Sequence, residues 1–132
     1  MIKVTPILSK DEQRLICERF SLSYNPALLA YKTEINHVII GVVTFYLCEK
    51  KGVIVDIYHK NDDFAAIEMT VRSVMNFLDL HGFTECLIEN LPKYAEDVVE
   101  KIGYKRNNDG KHFIKVEGFF GKRCCAIGKF DE

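Results

Sequence analysis

The 132-residue sequence has no long apolar run and almost no net charge. Its longest strongly apolar stretch, around Val38 to Leu47, is about half the length of a membrane-spanning helix. The formal net charge is −1, so the protein as a whole has no electrostatic field that would attract nucleic acid or an anionic membrane. The N-terminus enters a strand pattern at once, without a signal-peptide layout, and we therefore expect a cytoplasmic protein.

The sequence also lacks the cysteine and histidine spacings that are typical of metal sites. No two of the five cysteines form a Cys-x-x-Cys motif. The cysteines are Cys17, Cys48, Cys86, Cys124 and Cys125. We expect free thiols in a reducing compartment. The four histidines, scattered over loops and element ends, are His37, His59, His81 and His112. Their spacing predicts surface histidines and no metal site.

The sequence does contain a strand, a tight turn, a strand and a long helix between residues 38 and 80. The apolar, β-branched runs Val38–Leu47 and Val53–Tyr58 predict the strands, with Lys50-Lys51-Gly52 as the turn. From Phe64 to His81 the apolar residues recur at helical spacing. Asp62 and Asp63 suit the N-cap of this helix.

Further elements are predicted before and after this segment. We expect residues 1–132 to form one domain with a single core. The other predicted elements are a strand at Ile2–Ile7, a helix at Lys10–Phe20, a strand at Leu28–Glu34, a strand at Thr84–Ile88, a helix from Pro92 to Gly103, and a hairpin of Tyr104–Asn107 with Lys111–Glu117. The order β-α-β-β-β-α-β-α-β-β predicts an α+β fold, an α/β sandwich whose mixed, mostly antiparallel sheet is flanked by helices. Residues 119–132 form a C-terminal extension that either adds an edge strand or covers the core.

The helix that opens at Pro92 carries the most specific motif. Its segment Pro92-Lys-Tyr-Ala95-Glu-Asp-Val98-Val99-Glu-Lys101-Ile102-Gly103-Tyr104 is similar to the Asn-x-x-Ala-x-x-Leu-Tyr-x-Lys-Leu-Gly-Phe segment of many GNAT acetyltransferases. With the order of elements, the chain up to about Glu117 resembles this family. The resemblance implies transfer of an acetyl group from acetyl-CoA to an amine of a small molecule or peptide. It also implies a V-shaped opening between the strand ending near Tyr58 and the strand at Cys86–Ile88.

The resemblance places the pyrophosphate of acetyl-CoA at the start of the long helix, where backbone N–H groups bind anions. The family motif there is Arg/Gln-x-x-Gly-x-Gly/Ala, whereas this chain has Asp62-Asp63-Phe64-Ala65-Ala66-Ile67. The two carboxylates disfavour an anion, while the alanines are small enough to leave backbone amides accessible. The implied cofactor-binding groups are the backbones of Ile57, Tyr58, His59, Ala65, Ala66 and Ile67.

The reaction also needs a proton donor and a base. Val99 stands where the family often has its donor tyrosine, and valine cannot donate a proton. Tyr94 and Tyr104 are therefore the candidate donors, with a purely structural tyrosine as the alternative. Asp56 and His59 are the candidate bases, with the alternative that His59 merely marks the end of its strand.

The orientation of Asp56 is open. Strict alternation places Val53, Val55 and Ile57 on one face of their strand. It places Ile54, Asp56 and Tyr58 on the other face. An inward Asp56 would have the raised pKa of a general base, and an exposed Asp56 would not.

Three functions fit this sequence. The first is an acetyltransferase with a divergent cofactor site. The second is a GNAT-like domain without catalysis, a structural or interaction protein for which Phe119, Phe120 and Phe130 favour a homodimer contact. The third is a nucleic-acid binder that uses the basic residues from Lys101 onward, and the near-zero net charge argues against it. We predict no nucleic-acid and no membrane partner.

Overall fold

The computed structural model describes residues 1–60 and 63–119. The strands are β1 (Ile2–Pro6), β2 (Leu29–Ile35), β3 (Val38–Cys48), β4 (Lys51–His59), β5 (Glu85–Asn90), β6 (Lys105–Arg106) and β7 (His112–Lys115). The helices are α1 (Lys10–Arg19), α2 (Phe64–Leu80) and α3 (Glu96–Ile102), and a 3-10 turn at Lys93–Ala95 leads into α3. Within these residues the predicted order of elements is confirmed.

All seven described strands belong to one sheet, in the order β1-β2-β3-β4-β5-β7-β6. The first four form an antiparallel meander. β4 and β5 are parallel neighbours, joined through α2, and β7 pairs antiparallel with β5 and with β6. The predicted α+β class and the mixed, mostly antiparallel sheet are therefore confirmed.

The sheet buries a different set of side chains on each face. Val42 and Val43 are consecutive in β3 and both fully buried, so their side chains point to opposite faces. Val42 packs with Ile16 of α1, whereas Val43 belongs to the larger cluster formed with α2 and α3. We call these surfaces the α1 face and the α2 face of the sheet.

α2 forms where the sequence predicts it. The Asp63 side chain caps its first turn by accepting a hydrogen bond from the Ala66 N–H at 3.1 Å. Ile67, Val74 and Leu78 lie on its buried stripe and have no exposed surface. Fully burying a side chain of this size stabilises the fold by about 1.5–3 kcal/mol.

The predicted turn between β3 and β4 was wrong by two residues. Leu47 pairs with Gly52 and Cys48 with Lys51, so the turn consists of Glu49 and Lys50. Gly52 lies within the strand on the α2 face. A Cβ at this position would lie 2.4 Å from the Leu78 side chain, so packing, not turn geometry, requires the glycine here.

The strict alternation predicted for β4 was also wrong. Thr44 pairs with Asp56 but Phe45 pairs with Ile54, which leaves Val55 as the extra residue of a β-bulge. Because of the bulge, the side chains of Ile54 and Ile57 lie in the same α2-face core, although a spacing of three residues would otherwise put them on opposite faces. Asp56 therefore projects from the α1 face.

Part of the sequence prediction falls outside the described residues. Those positions include Asp62, Phe120, Cys124, Cys125 and Phe130, and with them the edge strand proposed for the C-terminal extension. Cys17, Cys48 and Cys86 are free thiols. Within residues 1–60 and 63–119, no helix has the length and apolar character needed to cross a bilayer. No three potential metal ligands cluster in that same part of the chain.

Candidate active site at the end of strand β4

The candidate site lies where β4 and β5 stop pairing, and we call the space beside the unpaired end of β4 the cleft. Their last paired residues are Asp56 and Asn90, yet β4 continues to His59 with only β3 beside it. α2 starts at Phe64, a few residues beyond the end of β4. β4 thus continues past its parallel neighbour, with α2 beginning a few residues beyond its end.

Tyr94 reaches into this cleft from the 3-10 turn that follows β5. Its hydroxyl accepts a hydrogen bond from the His59 backbone N–H at 3.0 Å. The same hydroxyl donates to the Ile57 carbonyl oxygen at 3.3 Å. The side chain of one residue therefore satisfies both backbone groups that β4 would otherwise present to a β5 partner.

His59 itself is buried beneath α2, with 4% of its surface exposed. Its ring lies over Gly41, where a Cβ would come within 2.5 Å of ring atoms. Its Nε2 is 3.3 Å from the Thr70 hydroxyl, and Thr70 also hydrogen-bonds Thr33 and donates to the Ala66 carbonyl at 2.8 Å. Because the Thr70 proton is used on Ala66, the His59 Nε2 must carry the proton of the neutral ring.

The other ring nitrogen of His59, Nδ1, has no hydrogen-bond partner among the described residues. A second proton would sit there without an acceptor. Burial lowers the pKa of His59 to about 4, and the nearby Asp63 carboxylate opposes this only in part. A ring with such a low pKa is a weak base at neutral pH.

At the start of α2 the expected anion site is occupied by the chain itself. The Asp63 side chain accepts from the Ala66 N–H, and the Asp63 carbonyl accepts from the Ile67 N–H at 2.9 Å. Ala65 is exposed. A carboxylate thus stands where the resemblance places a pyrophosphate, and two of the three expected amides are bound within the helix.

The candidate base Asp56 lies on the α1 face, half-buried, next to Cys17 of α1. The Cys17 thiol has a raised pKa because of burial, with a further contribution from the Asp56 charge. Thr44, the partner of Asp56 in β3, is fully buried and its hydroxyl has no hydrogen-bond partner in the described part of the chain. Tyr58 projects from the same face and stacks on Phe20 with a centroid distance of 4.6 Å.

Tyr104 lies apart from these groups, in the core of the α2 face. It is 2% exposed, and its hydroxyl lies beside the Cys86 thiol without making a regular hydrogen bond. Burial raises the pKa of Tyr104 well above its usual value, and Cys86 adds to the rise. The structure therefore brings Tyr94 and His59 together at the cleft, with Asp56 on the same strand, and leaves Tyr104 buried elsewhere.

Two residues that shape the site were missed by sequence analysis, although each leaves a signal. Gly41 is a lone glycine in a β-branched strand, which often marks a close approach. Thr70 is a hydroxyl residue next to Val71 and one turn from Ile67, on the buried stripe of α2. A polar residue on such a stripe indicates a buried hydrogen bond.

Comparison with known proteins identifies the fold. No protein-family model matches the chain, and no curated protein matches it by sequence. An N-acetyltransferase from Staphylococcus aureus superimposes with a TM-score of 0.66 at 10% identity, covering 88% of this chain and 98% of that one. The PaiA N-acetyltransferase of Thermoplasma acidophilum, solved with coenzyme A, gives 0.57 at 12% identity over 78% of this chain and 66% of that one.

A KacTA–DNA complex is similar as well, with a TM-score of 0.67 and 13% identity over 92% of this chain and 99% of that one. Identities this low establish a shared fold and nothing finer. The chain therefore has the GNAT fold, as the resemblance implied.

Proposed function

We propose that this protein is an N-acetyltransferase that moves an acetyl group from acetyl-CoA to an amine, with its site in the cleft between β4 and β5. The observation that carries the proposal is that residues far apart in the sequence lie together at the end of β4. His59 and Tyr94, 35 positions apart in the sequence, meet at the unpaired end of β4, and Asp56 lies three residues before His59 on the same strand. The GNAT fold of the chain supports the same assignment, since a shared fold favours a shared activity, although it does not fix the function.

The unpaired end of β4 suits an amide-containing ligand, because the Ile57 carbonyl and the His59 N–H offer one acceptor and one donor. The start of α2 suits the cofactor less well, since Asp63 already binds its amides. Acetyl-CoA would supply the acetyl thioester. The cleft residues would hold its chain against β4 and exclude water from the reacting groups.

We assign the proton transfers to two side chains. Asp56 is the base that takes a proton from the amine, because the low pKa of His59 and its burial leave that ring poorly suited. Tyr94 is the donor that protonates the leaving thiolate, because its hydroxyl already lies in the cleft. His59 contributes its backbone N–H.

The test is release of coenzyme A thiol from acetyl-CoA in the presence of a panel of primary amines and peptide N-termini. We expect amine-dependent release, reduced about ten-fold or more by Asp56→Asn. Tyr104→Phe is the matched control, since it removes a hydroxyl that lies outside the cleft. Failure to bind or turn over acetyl-CoA at millimolar concentration, with the protein folded, would contradict the proposal.

A second candidate is a GNAT-like domain without catalysis, acting as a structural or interaction protein. The Asp63 carboxylate favours it, because a negative charge at the start of α2 repels the anion that the cofactor brings. Under this alternative acetyl-CoA does not shift the melting temperature, and light scattering finds a stable dimer or complex. Phe119, packed on Arg72 with 5.5 Å between the guanidinium carbon and the ring centroid, would then lie near a contact surface.

Nucleic-acid binding forms no part of the proposal. The net charge is −1. Of the basic residues after Lys101, Arg106 lies 3.6 Å from Glu96 and Lys111 is within 3.4 Å of the Glu89 carbonyl. The similarity to the KacTA–DNA complex is one of fold.

A further inference from the structure

The free edge of β4 has two hydrogen-bonding groups next to the cleft, and one hydroxyl occupies both. A tyrosine hydroxyl can donate one hydrogen bond and accept others. Here it donates to the Ile57 carbonyl and accepts from the His59 N–H. An amide group of a ligand would make the same two kinds of bond, so Tyr94 stands in for such a ligand.

The strand half of this contact is held in place. The Nε2 edge of the His59 ring packs against Gly41 and hydrogen-bonds Thr70. Gly41 is the β3 partner of His59, and Lys60 donates its N–H to the Ile40 carbonyl at 2.8 Å just beyond. The His59 N–H therefore keeps its position whether or not a ligand is present.

The tyrosine half is less enclosed. Tyr94 is partly buried, packs against the edge of the α2-face core, and lies in a three-residue 3-10 turn between exposed Lys93 and fully buried Ala95. The turn is closed by the Ala95 N–H donating to the Pro92 carbonyl at 3.0 Å. Rotation of one side chain would uncover both β4 groups and leave this turn and the buried Ala95 undisturbed.

We propose that Tyr94 is a latch that closes the cleft, and that a ligand with an amide-bearing chain must displace its hydroxyl to bind along β4. The latch rests on the proposed function, since it regulates that same site. The latch weakens ligand binding, because the two hydrogen bonds of the Tyr94 hydroxyl to β4 must break before the ligand can form its own. It also places the proton donor in contact with the strand before the ligand enters.

The test uses Tyr94→Phe, which removes the hydroxyl and keeps the ring, and Tyr94→Ala, which also clears the space. Isothermal titration with coenzyme A should give about ten-fold to a hundred-fold tighter binding for both variants than for the unmodified protein. The matched control is Tyr46→Phe, which removes a different half-buried hydroxyl, one that donates to Glu89 at 3.0 Å. It should bind coenzyme A with unchanged affinity.

A second readout does not depend on any ligand. Hydrogen exchange of the His59 amide in the free protein should be faster in Tyr94→Phe, because its partner is lost. If Tyr94 is also the proton donor, turnover by this variant falls while its affinity rises, a split that a merely structural tyrosine would not produce.

The outcomes separate the latch from the function. Equal affinity of the unmodified protein and Tyr94→Phe, with amine-dependent turnover present, overturns the latch and leaves the enzyme. No coenzyme A binding by any variant, with faster exchange at His59, means that the contact is structural. That result overturns the latch and the proposed function together.

Discussion

The imidazole of His59 lies so close to Gly41 that no side chain fits between them. A Cβ on Gly41 would be 2.5 Å from two ring atoms and 2.8 Å from a third. The ring cannot withdraw easily, because Nε2 on this same edge hydrogen-bonds Thr70 beneath α2. This pair fixes the end of β4, and with it the strand edge on which the cleft depends.

Gly41→Ala should therefore destabilise the protein by about 1–3 kcal/mol, as overpacking of a buried site does. Urea denaturation measures the loss. The clash predicts strong coupling, so the same substitution should cost much less in a His59→Ala background. Additive costs in the double-mutant cycle would show that the two residues do not compete for space.

The stability of the protein should fall in mild acid because of His59. In the folded state its pKa is about 4, whereas an unfolded histidine titrates near pH 6.5. The unfolded chain therefore binds the proton first as the pH falls. The free energy of unfolding should drop by about 3 kcal/mol between roughly pH 6.5 and pH 4.

The measurement is the difference in unfolding free energy between the unmodified protein and His59→Gln across that pH range. Other groups cancel in this difference, and the control His37→Gln, at an exposed turn, should retain the full pH dependence. A His59→Gln protein with the same acid sensitivity as the parent would contradict the assignment.

Thr70 links three parts of the buried network, so its hydroxyl should matter more than that of a surface residue. Thr70→Val keeps the shape but leaves His59 Nε2 and the Thr33 hydroxyl without their partner. We expect a loss of about 1–3 kcal/mol by chemical denaturation. Ser73→Ala removes an exposed hydroxyl bonded to the Met69 carbonyl at 2.8 Å and should cost under about 0.5 kcal/mol. Equal costs for the two variants would argue against a buried network.

The charge of Asp63 can be separated from its capping role. Asparagine caps helices about as well as aspartate, so Asp63→Asn should leave the melting temperature nearly unchanged. Removing the negative charge should strengthen coenzyme A binding about three-fold to ten-fold at low salt. The gain should shrink at high ionic strength, because salt screens exposed charges. A salt-independent gain, or no gain, would mean that the pyrophosphate does not bind near this helix.

Much of the fold could be predicted from the sequence because its signals are local. The helical stripe of α2 and its cap at Asp63 follow from periodicity and capping signals, and the place of β5 beside β4 follows from the family resemblance. The bulge at Val55 could not be predicted, since it inserts one residue into a run of apolar residues that looks regular. The turn between β3 and β4 was misplaced because Gly52, a turn residue by type, is needed for the approach of Leu78.

The candidate site was less predictable because it depends on contacts between distant residues. Tyr94 was a candidate by residue type alone, and nothing near it in the sequence indicates that its hydroxyl meets the backbone of a strand 35 residues earlier. His59 carries no sequence signal of burial, since it follows a strand and precedes charged residues. Its environment comes from Gly41, Thr33 and Thr70 on three other elements.

The most direct test of the account is a titration of isotope-labelled protein with acetyl-CoA, followed by the NMR shifts of individual backbone amides. We predict that the His59 and Ala65 amides shift first and most, and that the Tyr94 ring signals move with them as its hydroxyl leaves β4. Saturation with no change at His59, or with changes confined to another surface such as the groove lined by Leu28 and Tyr46, would contradict the central claim that this cleft is the cofactor site.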